Sequence, residues 1–345
     1  MRTKSGRAAR GLVGWLSAAA IGLAMFAACA SAPVATQPSA SQPSAARPPV
    51  RIAALKGPTG VGMVHLMNAQ ANGTTANDYQ FVLSAAPEEV VVKVANGEVD
   101  VAAVPTNLAA ALYAKTSGAV QMLAVNTLGV MSILETDDEI VSMADLKGRT
   151  IHLTGQGSNP EYVLRFLLRR NGLDPGADVK LVFSSQHEEL ATLVATGQVE
   201  LALLPEPFVT TAQAKNPKAR IALDLTKEWA KAVTDGSQLL TGAVIARRDF
   251  IARNPDAVTA FLEEYEQSIA AAESEVDATA ELCAKFGIIP SAAVAKQAIP
   301  RLNLTYLAGA ELRAASQGYF QVLYAADARS IGGAIPDAGF YYPAK

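Results

Sequence analysis

Of the three histidines in this 345-residue chain, His65, His152 and His187, only His187 stands beside acids, in His187-Glu188-Glu189. None of the three is spaced from another as a zinc-binding pair would be. No Gly-x-Ser-x-Gly is present, so a serine nucleophile has no elbow to sit on. Glu206 is held between Pro205 and Pro207. Its carboxylate could accept from an ammonium or ring N–H of a bound molecule, or it could pair with a neighbouring Lys or Arg. The flanking prolines, which fix its backbone, favour the first reading. His187 with Glu206 would give a metal only two ligands, so no metal site is assigned. Phe208, Tyr162 and Trp229 could wall a ring or fill a core.

Two glycine clusters point to binding instead. "KGPTGVG" follows the apolar run "RIAAL", and "GQGSN" follows "TIHLT". Each opens what looks like a helix, whose first amides lack intrahelical partners and carry partial positive charge. Thr59 is the expected cap in the first cluster, with Gly57, Pro58 and Gly60 around it. In the second, Ser158 or Asn159 takes that role after Gly155, Gln156 and Gly157. An anionic or strongly polar group between the two ends would gain hydrogen bonds from both. Nucleotide chemistry does not fit. The first cluster reads Gly-x-x-Gly-x-Gly rather than Gly-x-Gly-x-x-Gly, and no Gly-Lys-Ser/Thr follows.

The elements that would position these residues are written twice. "FVLSAAPEEVVVKVANGEVDVAAVPT" from Phe81 and "LVFSSQHEELATLVATGQVELALLPE" from Leu181 align without a gap at an offset of one hundred residues. Ser84 answers to Ser184, Gly97 to Gly197 and Pro105 to Pro205. With the upstream segments, each copy reads strand, glycine loop, helix ending in Asn-Gly, strand, helix ending in Asn-Gly or Thr-Gly, strand, proline. Strands alternating with helices predict a mostly parallel sheet flanked by helices in each of two lobes. Ligands of such sheets sit beyond the carboxyl ends of the strands. Those ends are residues 57–60, Ser84, Thr106 and Asn107 in one copy, and 155–159, His187 and Glu206 in the other. The expected lobes are 51–128 with 246–345, and 129–245. "NTLGVMSILE" and "LTGAVIARR" are the expected hinge strands.

Residues 1–28 read as a secretory signal, four basic residues followed by an apolar core. Without those four, the 29 basic residues become 25 against 32 acidic, a net charge of −7. That excludes a nucleic-acid partner, which needs a basic surface. Residues 29–50, rich in Ala, Ser, Pro and Gln, cannot bury enough to order themselves and would form a tether of roughly 25 Å. Cys283, in "ATAELCAKFG", reads as a small buried residue near a helix end, and the exported body is expected to fold without disulfides.

"AAC" at Ala27-Ala28-Cys29 resembles the bacterial lipobox, which implies lipidation of Cys29 and a membrane anchor. "AALKGPTG", "NGEVDVAAVPTN", "DLKGRTI", "GQGSNPEYVLRFLL" and "LLPEPF" resemble the solute-binding lipoproteins of bacterial ABC importers, most closely the nitrate/sulfonate/taurine and thiamine-pyrimidine-precursor class. The resemblance covers Arg51 to about Phe261. It implies an α/β fold of the two-lobed periplasmic-binding-protein type 2, a Venus flytrap. It also implies an extracytoplasmic component that passes a small polar, anionic or heteroaromatic solute to a permease and its ATPase. No cofactor is implied. Yeast-type pyrimidine synthases share that fold but carry a cysteine-rich motif and further histidines that this chain lacks. An exported enzyme on the same fold and a ligand sensor for a membrane partner are the alternative expectations.

Overall fold

A computed structural model describes residues 49–343. The signal, the lipobox and residues 29–48 of the expected tether lie outside the described residues; Pro49 and Val50, expected in the tether, instead open β1, where Val50 is buried by the sheet. The first part of the body comprises β1 (Pro49–Leu55), α1 (Pro58–Val61), α2 (Val64–Ala71), β2 (Asp78–Ser84), α3 (Pro87–Ala95), β3 (Val101–Pro105), α4 (Thr106–Lys115) and β4 (Val120–Leu128). After Gly129 and Val130 come β5 (Met131–Glu135), β6 (Thr150–Leu153), α5 (Asn159–Arg170) and β7 (Lys180–Phe183). They are followed by α6 (His187–Ala195), β8 (Leu201–Pro205), α7 (Phe208–Lys215), β9 (Arg220–Asp224) and α8 (Leu225–Ala232). The chain then returns through β10 (Leu240–Arg247), α9 (Arg248–Arg253), α10 (Pro255–Ser274), α11 (Val276–Phe286), α12 (Ala292–Ala298), β11 (Leu304–Ala308) and α13 (Gly309–Ala326).

Two sheets result, ordered β11-β4-β10-β3-β1-β2 and β7-β6-β8-β5-β9. The parallel part of each is its three-strand βαβαβ run, β2-β1-β3 in one and β7-β6-β8 in the other. Strands added beyond that run are antiparallel, because each sheet takes its fourth strand from chain that has just crossed over from the other. β5 enters beside β8, and β10 enters beside β3, so the repeat extends past the segment that aligns in sequence. β10 lies wholly in the six-stranded sheet, from Leu240 onwards. The expected boundary at 245/246 therefore falls inside this strand, whose antiparallel pairing with β3 and β4 runs from Leu240 to Arg247.

Helix termination in the parallel runs follows one device. The amide of Gly97 donates to Val94 and that of Glu98 to Lys93; one hundred residues on, Gly197 donates to Val194 and Gln198 to Leu193. Both glycines have φ near +70°, the left-handed conformation that lets the chain turn back on a helix end. Three apolar clusters cover the sheet faces. The largest runs from Leu55, Val104 and Val125 through Ile133, Ile151 and Leu203 to Trp229 and Tyr319, so apolar contact continues from one sheet to the other where α8 meets α13. Trp229 is 1% exposed and donates its indole N–H to the carbonyl of Ser237. Cys283 is buried in α11 against the opposite face of the six-stranded sheet, as expected of it, and burial pushes its thiol up to about 12.

Candidate functional site

The carboxyl ends of the parallel strands gather the expected rim residues, but many of their polar groups are already committed. At the first cluster, the helix breaks at Gly62-Met63, leaving α1 as a single four-residue turn before α2. Gly57, not Thr59, is its cap residue, and no side chain caps it. The Gly57 amide donates to Ile288 (2.8 Å) and the Gly60 amide to Gly57 (3.0 Å). Thr59 is buried, and its carbonyl accepts from Asn126 Nδ2 (3.0 Å). Gly60 is glycine for a reason within the fold: a Cβ there would stand 2.0 Å from the Leu55 carbonyl oxygen. These contacts commit the Gly57 and Gly60 amides within the fold.

The second cluster is closed by the protein's own acid. Glu161, in the first turn of α5, accepts from the Gly157 amide (2.7 Å) and pairs with Arg165 (2.6 Å). Ser158 occupies the cap position, but its hydroxyl donates back to the Gly155 carbonyl (2.6 Å). Asn159 Oδ1 accepts from Tyr319 of α13 (3.0 Å), and Gly157's carbonyl accepts from Tyr162 (2.8 Å). Gln156 and Gly157 are exposed. Ser84 donates to Glu89 (2.5 Å) within the turn into α3; its counterpart in the other copy is Ser185 with Glu189 (2.9 Å), one residue later than the alignment pairs them.

Glu206 sits at the end of β8 and is 2% exposed. It pairs with Arg301 (2.5 Å), while its other oxygen accepts from the amide and hydroxyl of Thr210 in α7 (3.1 and 2.7 Å). The pairing reading of this residue is the one the geometry follows. His187 opens α6, where Nδ1 lies 2.7 Å from Thr154 Oγ1 and the ring stacks on Phe208 at 5.1 Å. Burial holds its pKa below the ordinary imidazole value. Among the described residues no group of three or more His, Cys, Asp or Glu could hold a metal ion.

One rim position is different. α4 starts directly after β3 and, like α1 and α7, has no side-chain cap and no acid in its first turn, whereas α3, α5 and α6 each carry an acid there. Its first residue, Thr106, is fully buried, yet its hydroxyl has no hydrogen-bond partner. The hundred-residue offset matches Thr106 to Glu206. In the five-stranded sheet that position supplies a carboxylate to the start of α7; in the six-stranded sheet it supplies an unsatisfied hydroxyl and no carboxylate. Asn107 follows, half-buried. The register of β1 on β3, with Ala53 beside Ala102, carries Lys56 to the level of Pro105. Lys56 is exposed, and among the described residues no ion pair holds its ammonium.

Sequence reasoning missed Lys56, Arg301 and a polar cluster at the crossover. There Thr226 Oγ1 (3.0 Å) and Asn303 Nδ2 (2.6 Å) both donate to the Gly129 carbonyl. Asn303 takes φ of 46°, and its own carbonyl accepts from the Leu128 amide (3.0 Å). Only the isolated Lys in "ALKG" was visible as a signal, since the other partners are far apart in sequence.

Comparison with known proteins agrees with this architecture. The fold is similar to that of an ABC transporter protein from Parabacteroides distasonis, with a TM-score of 0.72 and 22% identity over 86% of this chain and 99% of that one. It is also similar to the periplasmic aliphatic sulphonate binding protein SsuA from Escherichia coli, with a TM-score of 0.66 and 18% identity over 86% and 94% of the two chains. These likenesses show the two-lobed periplasmic-binding-protein fold that the sequence led us to expect. A binding protein of Brucella abortus (strain 2308) is 29% identical over 175 residues, 50% of this chain and 52% of its own length. The chain thus spans about half the length of the curated relatives it matches. The NMT1/THI5-like family model matches residues 80–277, from β2 through the whole second copy into α11. The duplicated β-α units and the match across more than half the sequence together make the chain a member of the NMT1/THI5-like family.

Proposed function

We propose that the protein is the extracytoplasmic solute-binding component of an ABC importer, anchored to the cell envelope by lipid on Cys29. Its two lobes close on a small solute with an anionic group and hand it unchanged to a permease with its ATPase. The observation that carries the anionic class is Thr106. A buried hydroxyl without a partner is costly, and it lies at a helix start that has no acid of its own. A carboxylate, sulfonate or nitrate oxygen placed there would accept from Thr106 and from the first-turn amides of α4, as Glu206 does at α7. Lys56 adds a cation on the same rim. The opposite rim offers neutral surfaces, the Thr154–His187 pair and Phe208, suited to the rest of the solute. Because the hydroxyl is buried, whatever covers it has to move before a solute can reach it, and a fold that opens and closes supplies such a motion.

Thr154 and His187 make a hydroxyl–imidazole contact, but among the described residues no carboxylate is hydrogen-bonded to the ring to orient it as a base, which favours capture over reaction. Sulfonates, nitrate, pyrimidine precursors and aromatic acids would be screened by melting shift, with mass spectrometry of the recovered solute. At a hundredfold excess over Kd, binding adds about 2.7 kcal/mol, a shift of roughly 5–10 °C. Catalytic consumption of a hit would move the protein to the enzyme class. Shifts only with cations would overturn the anionic assignment.

A further inference from the structure

We infer that Glu206 and Arg301 form a clasp between the two lobes that biases them towards closure. The inference rests on the solute-binding reading for its consequence, but not for its test. Glu206 belongs to the five-stranded sheet, at the end of β8, and its amide donates to the Val130 carbonyl at the crossover (2.9 Å). Arg301 belongs to the return segment, in the turn Ile299–Arg301 between α12 and β11, and β11 pairs with β4 in the six-stranded sheet. The guanidinium Nε meets one Glu206 oxygen at 2.5 Å, and Nη2 donates to the hydroxyl of Thr210. That hydroxyl donates in turn to the second Glu206 oxygen (2.7 Å). The triad closes on itself, with both carboxylate oxygens and the hydroxyl used.

Its two halves differ in exposure. Glu206 is 2% exposed, whereas the Arg301 side chain is 38% exposed. A buried carboxylate that loses its cation is left uncompensated, and breaking such a pair costs far more than an exposed one. Opening the lobes would relieve that cost by returning water to Glu206. The pair therefore acts as a positioning device: it makes the closed form tolerable for a charge at the strand end. Two residues on, Asn303 holds the Gly129 carbonyl, so the same segment that carries the clasp also holds the crossover.

The test uses the full chain with no solute added. Small-angle scattering would read the radius of gyration and hydrogen exchange would read the Thr210 amide, with folding checked by calorimetry. R301M should enlarge the molecule and speed Thr210 exchange at least tenfold. R301K, which keeps the charge but not the planar fork, should lie between. E206Q/R301M removes the stranded charge together with the attraction, so it should be more open than the wild type and less open than R301M. Unchanged scattering and exchange in folded R301M would overturn the clasp. Should R301M fail to fold, E206Q/R301M decides, and wild-type values in both readouts would overturn it. Failure to find any solute would count against the importer reading while leaving these results standing.

Discussion

Thr106→Val should stabilise the solute-free protein and weaken binding at once, two opposite effects from one atom. Valine keeps the shape of threonine and replaces the hydroxyl with a methyl group. In the structure that hydroxyl is fully buried and has no partner. Leaving a buried polar group unsatisfied costs about 1–3 kcal/mol, so removing it should raise stability by about 1 kcal/mol or more. For a chain of this size that is a rise in Tm of roughly 2 °C or more. Solute binding should suffer, because a hydrogen bond to a charged group contributes about 1.5–3 kcal/mol, or roughly ten- to a hundredfold in Kd. Calorimetry of the solute-free protein gives the first quantity, and titration with the anionic hit from the melting screen gives the second. Thr106→Ser, which keeps the hydroxyl, should retain affinity. A lower Tm for T106V would mean that the hydroxyl is satisfied in the folded protein. Unchanged affinity would remove Thr106 from the site.

Gly60→Ala should destabilise by about 1–3 kcal/mol, because its Cβ would collide with the Leu55 carbonyl oxygen. Gly157→Ala meets open space and only the strain of φ +68°, about 1 kcal/mol; equal losses in denaturant unfolding would contradict the structure. Burial lowers the pKa of His65, His152 and His187, so between their folded values and about 6.5 the unfolded chain binds more protons than the folded one. Stability should therefore fall as pH drops from 7.5 to 5.5, where carboxylates remain ionised, and less steeply in His187→Gln; a flat or opposite profile would refute the assignment. Cys29→Ser should abolish acylation and leave an unprocessed or soluble product, which a mature-sized acylated species on a mass spectrum would disprove.

The sequence by itself determined the local architecture and its duplication. Periodicity, the hundred-residue offset and the Asn-Gly and Thr-Gly helix ends are read within a few residues of one another, and so are turns such as Ser84 with Glu89. The burial of Cys283 was legible on the same grounds. What only the tertiary structure decided was which of the rim groups are free. Glu206 finds its cation 95 residues away, Asn159 is held by Tyr319 at a separation of 160, and Thr59 by Asn126 at 67. Gly60 looked like an approach for a ligand and is an approach for Leu55. Composition cannot show that an acid or an amide is already satisfied, because hydrogen-bond partners are set by the pairing of distant strands and by the return of the C-terminal segment across the crossover. For the same reason the unsatisfied hydroxyl at Thr106, one of two among the described residues with that of Ser237, emerges only when every other partner has been placed.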